Sequence, residues 1–85
     1  MKIEVFGTGC RKCEQLYQEV QAAVGMSSLD IRVEKVDQIH EIAKRGIFFT
    51  PGLAMDGKVV SSGKLLKAGD ILELIEESGR QLDDV

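Results

Sequence analysis

Apolar and polar positions alternate singly at the start of the chain, then change to a three- and four-residue spacing. Ile3 and Val5 alternate with Lys2 and Glu4, the period of a half-buried β-strand, and Gly7-Thr8-Gly9 ends the run. Cys13, Leu16, Tyr17, Val20 and Val24 then recur at steps of three and four. This predicts an amphipathic helix from Arg11 to Val24 with one apolar face and Gly25 as its stop. Leu29, Ile31 and Val33 alternate with Asp30, Arg32 and Glu34, which predicts a second half-buried strand. Asp37 is placed to cap a short helix carrying Ile39, Ile42 and Ala43, with Gly46 at its end.

Phe48-Phe49-Thr50-Pro51 follows, and proline bars the interior of a regular helix or strand. One of the two phenylalanines is expected to enter the core. Leu53-Ala54-Met55 and Lys58-Val59-Val60 flank Asp56-Gly57. This is a strong hairpin signal, because a type I′ turn needs positive φ at both central residues. Ile71, Leu72, Leu74 and Ile75 mark a last helix, followed by a polar stretch. The predicted order is β-α-β-α-β-β-α. Its first βαβ unit should have a right-handed crossover and a parallel strand pair, with helices covering both sheet faces.

Length and composition narrow the picture. Eighty-five residues, 44% hydrophobic and 29% charged, fit one soluble globular domain with a modest core. Eleven basic against fourteen acidic residues leave a net charge of −3, which disfavours nucleic acid as a partner. No segment approaches the roughly 18 consecutive apolar residues of a membrane span, and the first residues lack the pattern of a secretory signal. A cytoplasmic location and no membrane partner are therefore expected. In that compartment a close cysteine pair reads as catalytic or metal-binding rather than structural.

Cys10 and Cys13 lie three positions apart, between the strand-ending glycines and the helix. On a helix that spacing puts Cβ atoms roughly 5–6 Å apart, against about 3.5–4.5 Å in a disulfide. A first turn whose non-helical end is Cys10 absorbs the difference, so oxidised and reduced forms are both accessible. The thiolate is the reactive species. Cys10 is expected to face unpaired N–H groups and the positive end of the helix dipole, which lower a thiol's pKa, and Arg11 and Lys12 act in the same direction. Cys13, one turn inside, is expected to be more buried. Cys10 is thus assigned the attack and Cys13 the release of a mixed disulfide.

Gly7-Thr8-Gly9-Cys10-Arg11-Lys12-Cys13, followed by Phe49-Thr50-Pro51-Gly52 ahead of the Asp56-Gly57 hairpin, resembles the small thioredoxin/glutaredoxin-like redox-active disulfide proteins of archaea and bacteria. The resemblance runs from Met1 to about Ser78. It implies a single thioredoxin-like α/β domain over residues 1–79, with a four-stranded mixed sheet flanked by helices, and a polar tail over residues 80–85. It implies a thiol–disulfide oxidoreductase with no cofactor or metal. Protein disulfides would be its substrates, or it would carry electrons from a thioredoxin-reductase-like donor, as a monomer. By the same resemblance Pro51 would be a cis-proline facing the cysteines, the backbone of Thr50 would pair with an extended substrate segment, and Gly63 would leave the nearby surface open. Glu4, six residues before Cys10, stands where thioredoxins carry a buried aspartate. A carboxyl partly desolvated in a central strand is suited to relay a proton to or from Cys13.

Departures from the family are visible too. Thr8-Gly9 stand where a tryptophan precedes the first cysteine, Arg11-Lys12 replace Gly-Pro, and Ser61-Ser62-Gly63-Lys64 lacks the glutathione-holding signature of glutaredoxins. Two other readings stay open. A soft-metal carrier for copper or mercury also places C-x-x-C after its first strand, but with the order β-α-β-β-α-β. A non-catalytic binding module could keep the fold without turnover.

Overall fold

The computed structural model describes residues 1–83, with side chains described as far as Ser78. Its elements follow the predicted order: β1 (Lys2–Phe6), α1 (Arg11–Met26), β2 (Arg32–Val36), α2 (Ile39–Lys44), β3 (Gly52–Met55), β4 (Lys58–Ser62) and α3 (Ala68–Asp83). The strands form one sheet in the order β2-β1-β3-β4. β1 runs parallel to β2 and antiparallel to β3, and β3 pairs antiparallel with β4. This is the expected four-stranded mixed sheet.

The alternation along β1 sorts side chains to the two faces. Ile3 and Val5 pack with Leu16, Val20 and Ala23 of α1, Ile71 and Ile75 of α3, and Leu53 and Met55 of β3. Phe6 turns the other way, to Ile42, Ile47 and Ala54 beside α2. One sheet face therefore carries α1 and α3 and the other carries α2. Burial of the larger of these apolar side chains, each worth about 1.5–3 kcal/mol, is the main force holding the layers together.

The hairpin turn forms as predicted, with φ of 51° at Asp56 and 86° at Gly57. It is also tied to the start of β1. Lys2 N–H donates to Asp56 Oδ1 at 2.9 Å, and Asp56 N–H donates to the Lys2 carbonyl at 2.8 Å.

Several boundaries differ from expectation. Helix α1 continues past Gly25 to Met26, because Ser27 closes it through N–H bonds to the carbonyls of Ala23 and Val24. Strand β2 begins at Arg32, where pairing with Lys2 starts, and Leu29 lies exposed in the preceding loop. Gln38, not Asp37, is the N-cap of α2, and no side chain caps that helix. Phe48 and Phe49 are both exposed, at 80% and 74%. The core position expected for one of them is filled by Ile47, whose N–H bonds the Ile42 carbonyl at 3.2 Å. Finally, α3 runs to Asp83, so most of the expected tail over residues 80–85 is helical. Asp84 and Val85 lie outside the described residues.

Candidate active site

Cys10 is the N-cap of α1, extended at φ −70° and ψ 162°. It is joined by a disulfide to Cys13, with the two Cα atoms 5.1 Å apart. The Cys13 N–H, one of the donors a helix start leaves unpaired, points at Cys10 Sγ from 3.2 Å. Cys10 is exposed, whereas Cys13 is 6% exposed. Arg11 and Lys12, between them, are exposed and form no ion pair among the described residues.

Gly7 explains how the buried sulfur fits. A Cβ built there would overlap Cys13 Sγ and lie 2.7 Å from Cys13 Cβ, so only glycine lets the end of β1 approach the first turn of α1 this closely.

Sheet pairing brings the second half of the site alongside. Phe6 of β1 pairs with Gly52 of β3, and one residue further along each strand Pro51 comes level with Gly7. The Thr50–Pro51 peptide is cis, and Pro51 is fully buried. Its carbonyl accepts the Gly63 N–H at 2.8 Å, and the Phe49 carbonyl accepts Ser62 Oγ–H at 3.0 Å. Gly63 has φ +75°, and a Cβ there would sit 3.0 Å from Phe49 Cβ. Thr50 is exposed, and no hydrogen bond among the described residues uses its backbone. Thr50, Pro51 and Gly63 are thus assembled at the end of the sheet from which the cysteines project.

Glu4 stands elsewhere. It shares the parity of Phe6 and so faces α2, on the side of the sheet opposite α1 and Cys13. Arg45, just past α2, holds both its oxygens, Nη1 to Oε2 at 3.0 Å and Nη2 to Oε1 at 2.9 Å. The guanidinium also reaches the Gly57 carbonyl at 3.3 Å and lies 5.2 Å from the centre of the Phe6 ring. The hydrogen bond to Glu4 raises the pKa of Arg45 above its ordinary value. Burial opposes the rise, and the charges of Glu4 and Glu41 add to it. The geometry therefore gives Glu4 a partner that sequence reasoning missed, in place of the expected line to Cys13. No local pattern marks Arg45, which is 41 positions away in sequence.

On the face that Cys13 does occupy, a cleft of about 130 Å³ is lined by residues that include Cys13, Glu14, Tyr17, Lys35 and Asp37. Lys35 Nζ lies 3.4 Å from Glu14 Oε1 and 4.3 Å from the centre of the Tyr17 ring. The strand period was the available signal for these groups. β2 pairs Val5 with Lys35, so Lys35 and then Asp37 fall on the α1 side.

A disulfide spanning the first turn of a helix, with Cys10 exposed and Cys13 buried behind it, defines a thiol–disulfide oxidoreductase. Comparison with known proteins gives the same class. Residues 1–76 match the family model described as a thioredoxin domain, and the chain belongs to that family. A thioredoxin of Methanocaldococcus jannaschii is 42% identical over 71 residues, covering 84% of this chain and 81% of the relative. A thioredoxin of Methanothermobacter thermautotrophicus is 32% identical over 75 residues, covering 88% and 97%. A solved structure described as that of a malarial protein has a TM-score of 0.69 at 17% identity, over 89% of this chain and 93% of that one, which shows the shared fold. The order β-α-β-α-β-β-α, with α3 last, also differs from the order the soft-metal carrier required.

Proposed function

We propose that this protein reduces disulfide bonds in other proteins, with Cys10 as nucleophile and Cys13 as resolving thiol, and that a thioredoxin-reductase-like donor restores its dithiol. The observation that carries the reading is the exposed Cys10 at the helix start, with the Cys13 N–H directed at its sulfur from 3.2 Å. In the reduced protein the same donor favours the thiolate, and Arg11 and Lys12 add positive charge beside it.

In the first step the Cys10 thiolate attacks one sulfur of the partner's disulfide. The other partner sulfur leaves as a thiolate. In the second step the Cys13 thiolate attacks Cys10 Sγ, the Cys10–partner bond breaks, and the second partner sulfur departs with the electron pair. Two electrons pass to the partner, and the Cys10–Cys13 disulfide remains.

The free backbone of Thr50, beside Pro51 and near the exposed Gly63, offers an extended partner segment a place to pair. In this reading the site works in the cytoplasm, as a monomer and without a cofactor. Among the described residues no helix is long and apolar enough to cross a membrane. Glu4 is assigned to holding α2 on the sheet through Arg45.

The test is insulin reduction driven by dithiothreitol, with Cys10→Ser as the comparison. Wild-type protein should accelerate insulin precipitation and Cys10→Ser should not. Equal rates would refute the assignment. Cys13→Ser, added to cell extract, should retain protein partners in complexes released by dithiothreitol, while a double serine variant retains none.

A further inference from the structure

We propose that Asp37 takes up and returns the proton of Cys13 through water in the cleft between β2 and the first turn of α1. This deepens the reading above and rests on Cys13 being the resolving thiol. A resolving thiol that is 6% exposed has little direct contact with bulk solvent, yet it must lose a proton before it can attack Cys10 Sγ. The group that receives that proton must share its side of the sheet.

The fold limits the choice. Glu4 faces α2, with both carboxylate oxygens held by Arg45. On the α1 side, Gly7 N–H bonds the Val36 carbonyl at 3.0 Å, which fixes the next residue, Asp37, level with Gly7 and hence with Cys13. Cys13 and Asp37 line the same cleft of about 130 Å³. Since water occupies roughly 30 Å³ in the liquid, a short chain of waters fits there.

The other titratable groups facing the cleft are Glu14 and Tyr17 from α1 and Lys35 from β2. Glu14 is engaged by Lys35 at 3.4 Å, and the same ammonium lies over Tyr17. Asp37 is the lining carboxylate with no hydrogen bond or ion pair among the described residues. It does not cap α2, where Gln38 holds the cap position, and it is exposed, so its proton exchanges readily with solvent.

The step balances. Within the mixed disulfide, Cys13 Sγ–H passes its proton through water to the Asp37 carboxylate. The Cys13 thiolate then forms the bond to Cys10 Sγ as the partner's sulfur leaves with the electron pair, and Asp37 later gives its proton to solvent. In the return direction, when an external dithiol reduces Cys10–Cys13, the same carboxyl supplies a proton to the Cys13 sulfur.

Reduced protein mixed with 5,5′-dithiobis(2-nitrobenzoate) separates the two steps. The attack by Cys10 releases one coloured thiolate, and resolution by Cys13 releases a second. In Asp37→Asn the first phase should keep its rate. The second should slow about 100-fold at neutral pH, the lower range of general-base contributions, and approach wild type near pH 9–10, where hydroxide ionises the thiol directly. Asp37→Glu should recover most of the loss. A second phase that is unchanged, faster, or slowed equally at every pH overturns the proposal. Wild-type protein with a first phase and no second would instead overturn the role of Cys13, and this inference with it.

Discussion

Replacing Gly7 with alanine should make the disulfide easier to reduce. The added methyl carbon would overlap Cys13 Sγ and stand 2.7 Å from Cys13 Cβ. In the dithiol form the Cys13 sulfur can rotate away, which relieves the first clash but not the second. In the disulfide form the bond to Cys10 holds the sulfur in place, and neither clash is relieved. Overpacking of this kind costs roughly 1–3 kcal/mol. If about 1–2 kcal/mol of it falls on the oxidised state alone, the two-electron relation of about 30 mV per 1.4 kcal/mol raises the midpoint potential by roughly 20–40 mV. The remainder lowers the stability of both forms. Equilibration with glutathione buffers, read by alkylation and mass, gives the potential, and urea unfolding of each form gives the stabilities. A potential within about 5 mV of wild type, together with equal destabilisation of both forms, would show that the contact does not discriminate between redox states. An unchanged stability would refute the close packing itself.

The Glu4–Arg45 pair should behave as a coupled unit. Arg45→Ala leaves a carboxylate of 8% side-chain exposure with only the more distant Lys2 ammonium, 3.9 Å away, at about 2–3 kcal/mol, less than a fully buried pair because that second cation remains and the arginine side chain is 29% exposed. Glu4→Gln should recover part of that loss in the double variant, and additive single effects in urea unfolding would dismiss the pairing. The arginine's contribution should also be independent of pH across the ordinary range. Its affinity for the proton is raised in the fold, so its stabilisation is fully present below arginine's usual value and is lost only above the raised one. A difference between wild type and Arg45→Lys that titrates near pH 10–11, as lysine does, would fit this, whereas one that titrates near neutrality would not. Gly57→Ala should cost roughly 1–2 kcal/mol, because position 57 holds φ at 86°, and an unchanged melting temperature would argue against that turn.

Local patterns announced most of this fold. The two-residue period at Ile3 and Val5, the helical spacing from Cys13 to Val24 and the Asp56-Gly57 turn each reflect forces acting within a few residues. Ends were harder to read. Gly25 offered a stop, yet backbone bonds from Ser27 carried α1 one residue further. The start of β2 was fixed by pairing with Lys2 rather than by its own alternation. The paired phenylalanines looked core-bound by hydrophobicity, but α2 turns back so that Ile47 fills the space against Phe6 and Ala54. At the site, the cysteines were legible from spacing and the loop before them. Arg45 was not, since a contact across 41 positions leaves no local trace. Asp37 lay between these cases. Extending the strand period two residues past Lys35 points to the α1 side, but the capping preference of aspartate suggested another use.

The register that sets Gly52 against Phe6 has a consequence during synthesis. Both sulfurs leave the ribosome about forty residues before the docking edge does, an interval of roughly 2–8 s at ordinary elongation rates. Throughout that time the nascent chain carries two thiols with no formed groove to select what they meet. Cells starved of reducing power should therefore accumulate mispaired adducts on incomplete chains, and a slower ribosome should increase them.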